Sequence, residues 1–186
     1  DGLTPSLAFQ NIAREKYNGS KYIMIRPHAR SFFYNTEHLK VMKESIKSAK
    51  NHGAEGVVFG AINDGKIDFK INEELLYTAH QLNLKCTFHK AIDSCNHVKQ
   101  SLIELSEMGF DWVLTSGGKK NAELGIKNLI EMSHIPNRKI KILVGGGISP
   151  INCQKFNNIG IDGLHFSIDK NKIVEEKKIE LIMEKI

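Results

Sequence analysis

The sequence contains no apolar run long enough to cross a membrane. Its apolar stretches, such as residues 57–59 and 140–144, are far shorter than the roughly 18 to 20 residues that a spanning helix needs. The chain begins with Asp1, and no basic segment followed by an apolar one comes next, so no secretion signal is recognised. Such a start is consistent with an N-terminus that has been cut away. We therefore expect neither a membrane segment nor a membrane partner.

Cysteine is scarce and odd in number. Cys86, Cys95 and Cys153 offer no paired disulfide framework. Without an export signal, unpaired thiols are typical of the reducing cytosol, so we expect a cytoplasmic protein. A structural role is the default interpretation of all three thiols.

Charge of a single sign is also missing. The net charge is +5, but 26 Lys and Arg are interleaved with 21 Asp and Glu, as in KIVEEKKIELIMEKI at residues 172–186. Interleaved charges are typical of solvated helix faces, whereas nucleic-acid binding favours a continuous basic stripe. We therefore expect no nucleic-acid partner. With 186 residues, 41% hydrophobic and 25% charged, the chain predicts one domain over residues 1–186.

Short apolar runs recur at a near-constant interval along the chain. They are apolar throughout instead of alternating, which is typical of parallel strands covered on both faces. Helical periodicity fills the gaps, as where Leu39, Met42 and Ile46 fall on one stripe, and Ser149 with Pro150 favours the start of another helix. The predicted strands are residues 22–25, 56–59, 86–89, 112–115, 140–144 and 163–166.

A strictly repeating strand–helix order leaves two architectures, an open doubly wound sheet and a closed barrel. Three features favour the barrel. A helix-like segment, residues 5–17, has no strand before it; the strands are evenly spaced; and polar residues follow nearly every strand instead of clustering at one switch point. We predict an α/β fold, a (β/α)₈ TIM barrel that lacks its first strand, first helix and second strand in this sequence.

In a barrel, the loops after the strands meet at one pole and assemble a single site. His89 and Asp93, in the segment TFHKAID, lie at that pole, and we predict that they are catalytic acid/base residues. A metal ligand and a buried structural donor are the alternatives for His89. Strand alternation sends Cys86 to the face opposite His89, so these two residues cannot bind the same metal without local distortion. Cys95 and His97 are a possible but weak pair of ligands, and the metal ligands stay unassigned. Lys90 follows His89 and is predicted to point away from the barrel axis if His89 points inward.

Two glycine-rich loops at the same pole predict an anion site. One of them leads into the predicted helix at Ser149, whose N-terminus adds roughly half a positive charge. The alternatives are that the glycines only permit tight turns and that Arg26 forms a surface salt bridge. His165 fits a core hydrogen bond as well as a ligand contact. The predicted anion-binding residues are Arg26, Ser116, Gly117, Gly118, Gly145, Gly146 and Gly147.

Seven short motifs follow one another over essentially the whole chain. They are GLTPS (2–6), MIRP (24–27), GAEGVVFG (53–60), TFHKAID (87–93), VLTSGG (113–118), GGGI (145–148) and HFS (165–167). In this order they resemble the CutC family of copper homeostasis proteins. The resemblance implies a (β/α)₈ barrel, places the start of this chain just after the family's second strand, and implies copper as the cofactor.

The chain departs from the family's pattern at the rim of the barrel. The family carries a cysteine at the end of its second strand, a natural thiolate ligand for copper(I), and this chain begins after that position. Where the family shows R-P-R-G-G and F-H-R-A-F-D, this chain has RPHAR at residues 26–30 and FHKAID at residues 88–93. The resemblance therefore implies no fixed set of ligands or catalytic residues.

Two functions follow as hypotheses. The resemblance implies a cytosolic protein that binds copper or helps the cell to tolerate it, with no settled molecular activity. The local chemistry predicts instead a barrel enzyme for a small anionic or phosphorylated metabolite, with His89 and Asp93 as acid/base groups. The expected partner is thus a copper ion or a small anionic ligand. Open strand edges also favour homo-oligomers.

Overall fold

Within the residues that it describes, the computed structural model contains a six-stranded parallel sheet and six α-helices. It describes residues 2–167, 169–170, 173–174 and 176–186, so Asp1 and some residues of the charge-interleaved C-terminal segment lie outside the described residues. The strands of the sheet are β1 (Tyr22–Met24), β2 (Gly56–Phe59), β3 (Lys85–Phe88), β4 (Trp112–Thr115), β5 (Lys141–Gly145) and β6 (Gly163–His165). The helices are α1 (Leu7–Lys16), α2 (Thr36–Asn51), α3 (Phe69–His80), α4 (Val98–Met108), α5 (Ile126–Ser133) and α6 (Glu176–Met183).

The strands lie in the sheet in the same order as in the chain. Each pairs in parallel with the next, and a helix or turn connects them, as the repeating pattern predicts. Two short antiparallel hairpins, Ile62–Asn63 with Lys66–Ile67 and Asp169–Lys170 with Ile173–Val174, lie apart from this sheet. The α/β class and the six strand positions are therefore confirmed.

The core lies between the convex face of the sheet and the helices. Val57, Cys86, Val113 and Ile142 occupy neighbouring strands and are fully buried. The alternate side chains point to the other face, where all six strands contribute to one cavity. Because the first and the last strand line the same cavity, the sheet is curled in the manner of a barrel wall.

The barrel wall is incomplete in the described part of the chain. There β1 pairs only with β2, and β6 pairs only with β5, so these two strands leave the ring open. This partial barrel agrees with the prediction of an eight-stranded barrel without its first two strands. None of the described helices has the length and apolar character required to span a bilayer.

The helix predicted at Ser149 and Pro150 is wrong. Residues 150–152 form a turn, and a short 3₁₀-helix, Cys153–Phe156, follows. The cause is Asn152, whose Oδ1 accepts from the Ser149 amide at 2.8 Å and whose Nδ2 donates to the Gly147 carbonyl at 2.9 Å. Such local side-chain bonds compete with the helical pattern of hydrogen bonds.

Candidate functional site

The loops that follow the six strands meet at the carboxyl edge of the sheet. We call this region the mouth and define it by residues 26, 89–90, 115–118, 145–148 and 165. The sequence-predicted site residues lie in it, except Asp93, whose carboxylate is hydrogen-bonded to residues of the mouth. The parallel order of the strands brings them together, as expected for a barrel wall.

Asp93 is the centre of the hydrogen bonding at the mouth. Its Oδ1 accepts from Thr115 Oγ1 at 2.6 Å and from the Gly118 amide at 2.8 Å, and its Oδ2 accepts from Ser116 Oγ at 2.9 Å. The Ser116 amide lies 3.0 Å from both oxygens, and Lys90 Nζ lies 2.6 Å from Oδ2. The loop at residues 115–118, predicted to hold an external anion, therefore holds a carboxylate of the protein itself.

Local backbone geometry makes this arrangement possible. Gly117 and Gly118 have φ values of 71° and 68°, a region that side-chain-bearing residues adopt with strain. On the other side, His89 caps a 3₁₀-helix, Lys90–Ser94, that returns the chain so that Asp93 faces the loop. The glycines are thus required by a turn around Asp93.

His89 is buried and neutral. Its side chain is 3% exposed, its Nδ1 accepts from the Ala91 amide at 3.2 Å, and its ring centroid lies 4.9 Å from that of Phe32. Burial, followed by the charge of Arg26, lowers the pKa of His89 to about 4. Because Nδ1 accepts, Nε2 carries the proton, and within the described part of the chain this N–H has no acceptor.

His89 and Asp93 do not form the contact that an acid/base pair requires. Among the described residues, the Asp93 carboxylate bonds to Lys90 and to residues 115–118, whereas the His89 side chain bonds to the Ala91 amide. The position of the His89 ring requires glycine at residue 60, because a Cβ there would lie only 2.9 Å from His89 Nδ1. Their predicted catalytic roles stay predictions, but the structure separates the two residues.

Lys90 lies at the mouth, and the prediction that it points away is wrong. Its Nζ donates to Ser116 Oγ at 2.6 Å as well as to Asp93, and a Cβ on Gly146 would lie 3.2 Å from it. The alternation of side chains ends at Phe88, the last residue of β3. Lys90 is the first residue of the 3₁₀-helix and therefore does not follow that alternation. The spacing of Lys90 and Asp93 at i and i+3 was the sequence signal for this ion pair.

The second glycine-rich loop keeps its backbone donors available. The carbonyls of Gly146 and Gly147 accept from the Ala122 amide and from Asn152 Nδ2, each at 2.9 Å. The amide N–H groups of Gly147 and Ile148, by contrast, have no backbone acceptor among the residues that the structure describes. Backbone N–H groups in this state are donors for an anion.

Cations dominate the electrostatics of the mouth. The Arg26 guanidinium lies 4.6 Å from the centroid of the Phe32 ring and donates to the Ala29 carbonyl at 3.1 Å. At the opposite side, burial and then the charge of Lys90 lower the pKa of His165. His89 and His165 therefore favour the neutral form, the first beside Arg26 and the second beside Lys90. The electric field of these two cations favours negatively charged ligands.

The three thiols have structural surroundings. Cys86 and Cys153 are fully buried, and burial raises the pKa of the Cys86 thiol to about 12. Cys95 is half-buried, and burial also raises its pKa. Within the described residues, no group of three or more His, Cys, Asp or Glu side chains is placed to hold a metal ion.

Comparison with known proteins identifies the family to which this chain belongs. The model of the CutC family matches residues 1–170. The chain belongs to the CutC family. A CutC protein from Aliivibrio fischeri is 35% identical over 185 residues, which are 98% of this chain and 74% of that protein. One from Vibrio cholerae is 37% identical over 168 residues, 89% of this chain and 66% of its own length. The chain thus spans about two thirds to three quarters of these relatives.

Solved structures agree with this assignment. The crystal structure of CutC from Streptococcus agalactiae, a protein named for copper homeostasis, shares 28% identity and a TM-score of 0.80, covering 88% of this chain and 81% of that chain. A 3-hexulose-6-phosphate synthase from Salmonella typhimurium shares 17% identity and a TM-score of 0.67, covering 95% of this chain and 77% of the other. The second likeness shows the barrel-type fold alone.

Proposed function

We propose that this CutC protein acts in copper homeostasis in the cytosol, by binding copper or by helping the cell to tolerate it. The observation that carries the proposal is the match of the CutC family model to residues 1–170. The name of the Streptococcus agalactiae relative supports it. The chain spans only part of its relatives' length. The proposal therefore concerns the role for which the family is named, and it assigns no separate activity to this part of the protein.

The described residues do not fit a preformed copper site. Copper(I) favours thiolate and thioether ligands, yet two thiols are enclosed in the core and the Cys86 thiol stays protonated. No cluster of three suitable side chains accompanies them in the described ranges. We therefore assign no copper ligand and propose a role in tolerance that does not depend on a thiol cluster of these residues.

Copper tolerance of cells tests this role. Expression of the chain in a bacterium that lacks its own CutC protein is expected to raise the copper concentration that halves growth. A Cys95→Ser variant is expected to protect equally, since Cys95 is the most accessible of the three thiols and belongs to no ligand cluster. Growth identical to that of cells with an empty vector contradicts the proposal.

A second proposal is that the mouth binds a small anionic or phosphorylated metabolite. It is favoured by Lys90, whose Nζ would lie 3.2 Å from a Cβ on Gly146, and by the amides of Gly147 and Ile148 in the same loop, which have no backbone acceptor among the described residues. Arg26 adds a second positive charge at the mouth. The amides of Ser116 and Gly118 are already bonded to Asp93 and leave the predicted anion set. His89 enters this proposal as a neutral hydrogen-bond donor through Nε2.

Titration of inorganic phosphate by calorimetry tests the second proposal. Replacement Lys90→Met is expected to weaken binding about tenfold, the equivalent of one charge-assisted hydrogen bond. Lys90→Arg is expected to retain most of the affinity because the charge is kept. The matched control is Lys99→Met in a surface ion pair with Glu131, which should leave binding unchanged. Equal losses in Lys90→Met and Lys99→Met would mean non-specific attraction.

A further inference from the structure

A second group of cationic side chains lies on the segment that follows β1. Residues 26–30 have the sequence RPHAR, which places Arg26, His28 and Arg30 at every second position. The ring of His38, in the first turn of α2, packs against the ring of His28 with 4.6 Å between the centroids. We call these four side chains the basic cluster.

The backbone and the guanidinium of Arg26 are held in place by the protein. The Thr4 amide donates to the Arg26 carbonyl at 3.0 Å, and the Arg26 amide donates to Thr4 Oγ1 at 2.8 Å. The Phe32 ring, on which the guanidinium lies, belongs to a segment whose carbonyl accepts from the Ile62 amide at 2.9 Å. Groups that are fixed before a ligand arrives lose less entropy when they bind it.

The charges around His28 are of one sign. Burial lowers the pKa of His28, and the charges of His38, Arg30 and Arg26 lower it further, in that order. The acid in the first turn of α2, Glu37, is 75% exposed and is paired with a lysine of the same helix. His28 Nδ1 is buried and has no hydrogen-bond partner within the described residues. A cluster of like charges of this kind favours an anion.

Lys90 belongs to another side of the mouth. Its Nζ donates to Ser116 Oγ after β4 and lies beside Gly146 after β5. In the order of the sheet, β5 is four strands away from β1, so in a ring of eight strands the two face each other. Because neighbouring strands lie about 4.8 Å apart, the ends of β1 and β5 are separated by roughly 12 to 15 Å across such a ring.

We propose that the mouth binds a small metabolite that carries an anionic group at each end. One group accepts from Lys90 and from the amides of Gly147 and Ile148, and the other group is held by the basic cluster. A bisphosphate and a phosphorylated carboxylic acid both have this form. A ligand with one anionic group leaves one set of cations without a counter-ion. The inference rests on the anion site proposed above and adds a second subsite, which defines the class of ligand.

Two bisphosphonates test the spacing of the subsites on the unaltered chain. Pentane-1,5-bisphosphonate carries an acidic group at each end of a flexible chain, whereas methylenebisphosphonate carries the same two groups on one carbon and cannot reach both sides of the mouth. Calorimetry is expected to show about tenfold tighter binding of the longer ligand, because its second contact is intramolecular. Attraction by charge alone would give the two ligands equal affinity.

Variants assign the two ends of the longer ligand. Its tenfold advantage is expected to disappear in Lys90→Met and also in a double variant, His28→Gln with Arg30→Met. The matched control is Arg14→Met in α1, since the Arg14 guanidinium donates to the carbonyl of Asn51 at the end of α2, away from the mouth. The advantage is expected to remain in this control. Thermal unfolding of each variant establishes that it remains folded.

The outcomes distinguish this inference from the anion site on which it rests. If phosphate binds beside Lys90 but the two bisphosphonates bind equally, the second subsite fails and the anion site stands. If neither phosphate nor either bisphosphonate binds, both proposals fail. An advantage that persists in the double variant would overturn the inference, because the second contact would then lie elsewhere. Loss of the advantage in Arg14→Met would overturn it as well, since the effect would then follow net charge alone.

Discussion

At the scale of single residues, Asp93 is the most connected side chain of the mouth. Its side chain is 10% exposed and accepts from Lys90, Thr115, Ser116 and the Gly118 amide. The sequence predicted its position at the end of a strand but not its partners at residues 115–118, because these lie 22 to 25 positions away. Contacts between distant segments depend on the closing of the fold and leave no local pattern.

Removal of this charge is expected to destabilise the protein. Asp93→Asn leaves the buried donors without a charged acceptor and should lower the free energy of unfolding by about 3 kcal/mol, measured by denaturant titration. Glu131→Gln, which breaks an exposed pair with Lys99, should change it by less than about 1 kcal/mol. Similar small effects for both would contradict the role of Asp93 as the acceptor that holds the loop.

His89 predicts a pH dependence of stability. Its pKa is about 4 in the folded protein and 6.5 without burial, so the unfolded chain binds a proton at a higher pH than the folded chain. The free energy of unfolding should fall by about 3 kcal/mol as the pH falls from 6.5 to 4. His89→Gln should flatten this slope, whereas His97→Gln, at an exposed position, should not. A slope unchanged in His89→Gln would assign it to other groups.

At the scale of elements, periodic patterns predict the helices well and the turns poorly. The stripe of α2 is confirmed, since Leu39, Met42, Ile46 and Ala49 are all buried. In α6, by contrast, Ile182 is buried whereas Ile179 is 38% exposed. Errors occur where side chains bond to the nearby backbone, as Asn152 does, since such bonds change the chain direction without changing hydrophobic periodicity.

The capping of α2 gives a test at this scale. Asn35 accepts from the His38 amide at 2.9 Å, and His38 Nδ1 accepts from the Asn35 amide at 3.3 Å, forming a reciprocal cap. Asn35→Ala should lower the free energy of unfolding by about 1 kcal/mol. Lys40→Ala, which removes a largely exposed pair with Glu37, is the control and should cost less than about 0.5 kcal/mol. Equal effects would exclude a capping contribution.

At the scale of the whole molecule, the even strand spacing, the leading helix without a strand before it and the polar residues after the strands together predicted a barrel wall. The prediction succeeds because parallel strands joined by helices have few possible arrangements. The position of the mouth follows from the same rule, whereas the location of Lys90 and the bonding state of the glycine loops do not. They depend on how the 3₁₀-helix Lys90–Ser94 packs against the loop at residues 115–118. The positions of the six strands in the sequence do not determine that packing.

Hydrogen exchange can test the open ring. The amides of β1 and β6 should exchange faster than those of β3 and β4, which have neighbours on both sides. Equal protection in the outer and inner strands would mean that something covers the edges. A sedimentation mass of two chains would then identify the cover as a second copy of the chain.

The ion pair between Lys90 and Asp93 also limits the affinity with which the mouth can bind an anion. An incoming anion must compete for an amine that already has an internal counter-ion, so its binding energy is only the difference between two attractions. Binding of an anion beside Lys90 is therefore expected to have low affinity and fast dissociation, which suits a protein that binds a ligand briefly and releases it.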